Sequence, residues 1–181
     1  GSEKRVPENE FYEDDRDQVV KTDNRPLPAR AQDQQALKIT TLGGHYLQTL
    51  DVGPGRVDGL AWGVAQFGDW GELDHRAHAF AFEAGYQPKN TLWKPWFRAG
   101  FYQASGDGNG LDGRHATFFS VLPTPRIYAR FPFYNEMNLN DAFVQALIRP
   151  TPKLTVRSDV RFLSLANRND LWYVGGGAFQ D

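Results

Sequence analysis

The 181-residue sequence has no cysteine, which excludes a disulfide framework and thiolate chemistry. It has no run of about 18 or more apolar residues, so no helix built from it can cross a bilayer. It also lacks an excess of one charge. Its 20 Lys+Arg against 22 Asp+Glu leave −2, whereas nucleic-acid binders usually carry a basic surplus. No nucleophile elbow, phosphate-binding glycine loop or zinc motif is present. The opening residues show no signal-peptide pattern. With Gly1-Ser2 at one end and an apolar GGGAF run just before the other, the sequence reads as an internal piece of a longer protein.

What is present suits β-structure. Hydrophobic residues make up 40% and aromatics 14%, with 18 Gly to serve many turns. The clearest stretch runs from Asp141 to Leu165. In its second half Leu154, Val156, Val160 and Phe162 share one parity, and Thr155, Arg157, Asp159 and Arg161 share the other. In its first half Ala142, Val144, Ala146 and Ile148 alternate with Phe143, Gln145, Leu147 and Arg149. A period of two places these sets on opposite faces of a strand. The break at Pro150-Thr151-Pro152 marks a tight turn, where no ladder donor is needed. This is an antiparallel hairpin with one greasy and one charged face.

Similar alternation appears earlier. Strands are expected over Ala36–Leu50, Val57–Phe67, Arg76–Tyr86 and Trp93–Ala104. The last has Trp93, Phe97, Ala99 and Phe101 on one face, and Lys94, Trp96, Arg98 and Tyr102 on the other. A further strand is expected to begin at Leu171. Gly68–His75 reads as a polar loop, and residues 105–140 as a long insert with a Gly-rich start and three prolines. Residues 1–35, with nine acids and six bases, read as a solvated polar loop of extracellular type or a strand-end segment, ahead of a partial β-wall at 36–181 that carries the long loop 105–140.

Alternation alone fits two settings. A soluble sandwich buries the apolar face; a transmembrane barrel turns it to lipid and encloses the polar one. Strands of about 10–12 residues exceed the usual 5–6 and suit a tilted bilayer crossing of about 9–11. Short turns after Leu50, Tyr86 and Ile148 alternate with longer loops after Phe67, Ala104 and Leu165, the rhythm of outer-membrane barrels. Tyr86, Trp93 and Trp172 fall near strand ends, where aromatic girdles belong. The expected fold is therefore all-β: an antiparallel up-and-down transmembrane β-barrel, of which this chain is an incomplete portion of about six to eight strands with one long inserted loop. The alternative is a soluble β-sandwich that binds or cleaves acidic glycans.

Charge bears on the partner. Residues 93–165 hold nine bases against five acids, a local excess that favours an anionic partner. Parity nominates Arg98, Arg149, Arg157 and Arg161 as facing the polar side, with Asp159 among them. Pairing of Arg157, Asp159 and Arg161 across strands, merely to fill a polar interior, explains the same pattern. Arg126 and Arg130 lie in the insert, whose aromatic run (Phe118, Phe119, Tyr128, Phe131, Phe133, Tyr134) is too apolar for water and is expected to fold inward. Asp107, Asn109 and Asp112 faintly suggest a calcium loop, but Gly-rich turns use the same residues. His75 and His78 are a possible pair on one strand face without a third ligand. Glu83 and Asp159 are acids within strands, with nothing to fix the separation that paired-carboxylate catalysis needs.

Several long words are similar to the alginate-export family of outer-membrane porins: GDGN (106–109), DGRHATFFSVLPTPRIYARFPFYN (112–135), DAF (141–143), LTVRSDV (154–160) and LANRNDLWYVGGGAF (165–179). The resemblance implies a large monomeric barrel in the bacterial outer membrane. It implies export of an anionic polyuronate through an arginine-lined lumen, with no catalytic residues, no metal and no cofactor. The implied partners are an anionic polysaccharide or small anion and outer-membrane lipid, and no nucleic acid. On that reading Arg98, Arg126, Arg130, Arg149, Arg157, Asp159 and Arg161 would meet the substrate. A porin with another substrate would share all of these features except the ligand.

Overall fold

The computed structural model describes residues 37–120, 134–174 and 177–179. Among them every regular element is a strand: β1 (Leu37–Val52), β2 (Gly55–Trp70), β3 (Leu73–Pro88), β4 (Trp96–Ala104), β5 (Arg114–His115), β6 (Leu139–Thr151), β7 (Leu154–Leu165), β8 (Trp172–Val174) and β9 (Gly177–Phe179). Six of them form an antiparallel wall in the order β1-β2-β3-β4-β6-β7. Each strand lies beside the next wall strand in the chain, the up-and-down arrangement. The wall is open, with β1 and β7 at its edges. The two-residue β5 pairs in parallel with β3 at Asp74 and His75, where β3 runs on past the end of β4.

Register lets side chains be read in rows across the wall, since paired residues share a face. One row of the greasy face runs Tyr46, Ala61, Phe82, Phe101, Ala142, Phe162. The row beside it runs Gln48, Gly59, Ala84, Ala99, Val144, Val160. These side chains stay open, with Val160 51% and Phe162 67% exposed. No second sheet packs on them among the described residues, so the layered sandwich is not the fold. Across β4, β6 and β7 the apolar band ends at the row of Gln103, Asn140 and Ser164. Beyond that row β1–β3 continue with only the short β5 beside them, and outward charge returns at Lys38, Asp69 and Asp74.

The boundaries differ from the sequence-based expectation in physical ways. Residues 68–75 are not a loop. β2 and β3 continue to a two-residue turn, Gly71-Glu72, with Gly71 at φ 63. β1, β2 and β3 are accordingly 16 residues each, longer than expected. β4 starts at Trp96, because Trp93 and Lys94 adopt left-handed conformations (φ 63 and 46) that a strand cannot hold. The turn of the last hairpin is Pro152-Lys153. Pro150 sits in a register break between Ile148 and Thr151, where its missing N–H costs nothing. The segment after Leu171 does not extend the wall: β8 and β9 pair only with each other.

Candidate functional site

Over the span of the apolar band, the other face of the wall gathers the strand charges. Its rows near the short turns run Asp58, Gly85, Arg98, Gln145, Asp159 and then Glu83, Gly100, Phe143, Arg161. Within the belt Arg98 bonds the Glu83 carboxylate, lies 3.9 Å from Asp58, and stacks its guanidinium 4.7 Å from the Trp96 ring centre. The Trp96 indole N–H donates to Asp58 at 2.8 Å. Arg161 pairs with Asp141 and lies 4.8 Å over Phe143. Arg157 reaches Asp159 at 2.9 Å, and the Gln145 amide donates to the same carboxylate. Gly100 makes this packing possible: a Cβ there would stand 2.6 Å from the Phe143 ring.

Three arginines on this face thus meet four carboxylates: Asp58, Glu83, Asp141 and Asp159. The planar guanidinium suits such sites, since it can bond a carboxylate and stack on a ring at once. Each arginine is held in place and largely neutralised. The belt is therefore a set of ion pairs rather than a strip of bare positive charge.

Nearer the long insert the same face is covered and mostly uncharged. Phe118 is buried among Ala77, Ala79 and Ala104, with Trp62, Val64 and Tyr102 packed around them. The Gln66 side chain clasps the backbone of Phe119 in both senses, its amide donating to the carbonyl and its carbonyl accepting from the N–H, each at 2.8 Å. The buried rings of His75 and His115 meet Nδ1 to Nδ1 at 3.0 Å, and Trp70 stacks on His115 at 3.9 Å. On the returning limb the Tyr102 hydroxyl donates to the Glu136 carbonyl at 2.7 Å.

A knot of hydrogen bonds ties the insert to the segment after β7. Asp170 accepts from the Thr117 hydroxyl (2.6 Å), the Asp107 N–H (2.8 Å), the Leu171 N–H (2.7 Å) and the Tyr173 hydroxyl (3.0 Å). Asn138 is fully buried at φ 48. It donates to the carbonyls of Asn167 and Leu171 at 3.0 Å each and accepts from the Asn167 N–H at 2.7 Å. Asparagine tolerates that left-handed backbone better than most residues. Burial pushes the Asp170 carboxyl above the usual carboxylate range, against the pull of its four donors. Burial also raises Glu136, opposed chiefly by the charge of Arg161.

Of the residues nominated from sequence, Arg98, Arg157, Asp159 and Arg161 share the charged face and its ion pairs. Arg149 is not in the belt. It is exposed at the short-turn rim, its N–H donating to the Trp93 carbonyl at 2.7 Å. Arg126 and Arg130 lie outside the described residues, as does the segment 1–35. His75 and His78 are on opposite faces, since three residues apart is an odd step in a strand. Lys94 sits in the loop before β4. The Asp107, Asn109 and Asp112 side chains each accept a backbone N–H two residues on, forming turns rather than a common ligand cage. Sequence reasoning missed Asp58 and Asp141 as partners in the belt, and Gln66, His115, Asn138 and Asp170 as fastenings of the insert.

An up-and-down antiparallel wall with an uncovered apolar face and a charged, partly roofed one is the architecture of a porin-type β-barrel, present here as an open portion. The chain belongs to the alginate export family, whose model matches residues 12–181. That family consists of outer-membrane channels that export polysaccharide, a transport family rather than an enzyme family. Comparison with curated proteins and with solved structures finds no match.

Proposed function

We propose that the chain is part of the wall of an outer-membrane channel that passes an anionic, alginate-like polysaccharide, with its apolar band in lipid and its paired arginines in the lumen. One observation carries this reading. Within the span of the apolar band, Arg98, Arg157 and Arg161 and their carboxylates occupy one face of the wall, while the opposite face is a continuous exposed apolar band; the outward pair Arg76–Asp74 lies past the end of that band. A conducting lumen must bind its ion well enough to admit it and weakly enough to release it. Arginines already shared with Glu83, Asp141 and Asp159 meet that need, because a sugar carboxylate exchanges with a resident one instead of filling an empty positive site.

The insert supports a narrowing of the same passage. Its outgoing limb is clasped by Gln66 and its returning limb by Tyr102, both on the charged face. Residues 121–133, with Arg126 and Arg130, are bracketed by those two anchors, and on this proposal they meet the passing polymer beside Arg98, Arg157 and Arg161. Replacing Arg126 and Arg130 together by alanine is expected to lower anion-over-cation selectivity in planar bilayers by at least about threefold. Unchanged selectivity would reject a role for them in the passage.

A further inference from the structure

The apolar face is not evenly filled. The row at Gly59, Ala84 and Ala99 forms a floor of small residues across β2, β3 and β4. Phe82 and Phe101 wall it on one side, and Tyr86 and Phe97 occupy the next row toward the short turns. The cavity over this floor has a volume of ≈ 580 Å³. At the β1 end it meets Tyr46 and Gln48, joined by a 2.8 Å hydrogen bond. From β1 to β4 the cavity crosses three strand intervals, roughly 14 Å, long enough to take much of a fatty-acyl chain.

At the short-turn rim beneath this trench, charge is lopsided. Arg56, Lys89, Lys94, Arg149 and Lys153 stand there against Asp51 alone. Asp51 is shared by Arg56 and Lys89, at 3.1 and 3.2 Å. Among the described residues no carboxylate pairs with Lys94, Arg149 or Lys153. The loop joining β3 to β4 lies directly below the trench and carries Leu92, 80% exposed, and Trp93, 50% exposed. Trp93 and Lys94 both hold left-handed backbone, and the Trp93 carbonyl accepts from Arg149. Such conformations cost about 1 kcal/mol or more each and persist where surrounding structure enforces them, often at ligand clamps. Here they set an exposed indole among uncompensated cations at the edge of the apolar band, the place where amphipathic rings and headgroups meet in a bilayer.

We propose that this corner of the wall is a binding site for an anionic phospholipid. One acyl chain lies in the trench over Gly59, Ala84 and Ala99, and the phosphate headgroup rests on Lys94 and Arg149 beside Trp93. Charge complementarity selects the occupant, since a zwitterionic lipid fits the trench equally well but brings its own ammonium to a corner already in cationic excess, whereas an anionic one does not. The inference rests on the membrane reading above and names the lipid class that reading leaves open.

Trp62, Trp70 and Trp96 belong to the charged-face rows, so the difference in fluorescence between the full chain and its Trp93→Phe variant reports on this corner. Both proteins are placed in zwitterionic phosphatidylcholine nanodiscs and titrated with brominated phosphatidylglycerol or brominated phosphatidylcholine. Trp93 is expected to be quenched at about threefold lower mole fraction of the anionic lipid. That preference is expected to vanish in Lys94→Gln/Arg149→Gln. Ala99→Leu, which fills the trench without touching charge, is expected to weaken quenching by both lipids. Equal quenching by the two lipids, a preference that survives loss of Lys94 and Arg149, or quenching unmoved by Ala99→Leu would overturn the site while leaving the channel reading intact. Absence of quenching by either lipid would overturn the membrane placement and this site with it.

Discussion

Near the short turns, the charged face carries Arg98, Arg157 and Arg161 with their carboxylates, in contact with water to a degree that falls from the partly exposed Arg157–Asp159 pair to the mostly buried Arg161–Asp141 pair. Near the insert, Gln66 and His75 of the same face, with Thr117 and Asn138 of the covering segments, are all buried and bonded. Both ends consist of hydrogen-bonded polar groups, yet the physical demands differ. Paired charge with access to water can exchange partners cheaply. Buried amides and hydroxyls without water cannot, because each lost partner leaves a group unsatisfied. One end is built for traffic and the other for staying shut, and substitutions should affect them in opposite ways.

The largest effect is expected at the shut end. Asn138→Ala removes three hydrogen bonds in a fully buried place and puts a less tolerant residue at positive φ. The insert's attachment should weaken by about 3 kcal/mol. Hydrogen exchange would show amide protection collapsing across 105–120 and 134–138 while the β6–β7 ladder stays protected. Loss spread evenly over the wall would erase the distinction between the ends.

At the open end the expected change is functional. Glu83→Gln leaves Arg98 with only the more distant Asp58 and makes the belt more positive. Block of single-channel current by uronate oligomers should then occur at about three- to tenfold lower concentration, equivalent to roughly 0.7–1.4 kcal/mol. Unaltered block would show that the resident carboxylates do not tune affinity.

The smallest effect concerns pH at the knot. The folded chain holds the Asp170 proton to higher pH than an unfolded chain does. Stability of the attachment should therefore fall as pH rises from the ordinary aspartate value toward the raised one, and level off above it. Exchange rates of the Leu171 and Asp107 amides should follow that trend. Asp170→Asn should remove Asp170's part of the slope.

Much of the wall was legible because period-two alternation is local, and β6 and β7 show both faces within 25 residues, from Asp141 to Leu165. Alternation also placed Arg98, Arg157, Asp159 and Arg161 on one side. It failed at 68–75, because a strand that has run past the apolar band has no greasy parity to display: Asp69 and Asp74 pair in register while looking like loop. It did not say which face of β2 is outward, since Leu60, Trp62 and Val64 share the face of the arginine rows while Gly59 and Ala61 look outward. The fastenings were out of reach for another reason. His75 finds His115 and Gln66 finds Phe119 across 40 and 53 residues, and Asp58 reaches Arg98 only once the register of three strands is known.

The central claim is that water touches the arginine face and hydrocarbon touches the other. Because the chain has no cysteine, single thiols can be introduced at Leu147 on the charged face and at Val144 on the apolar one. Labelling of the membrane-embedded protein with a charged, membrane-impermeant maleimide should be at least tenfold faster for Leu147→Cys than for Val144→Cys. Equal rates, or faster labelling at Val144→Cys, would contradict it.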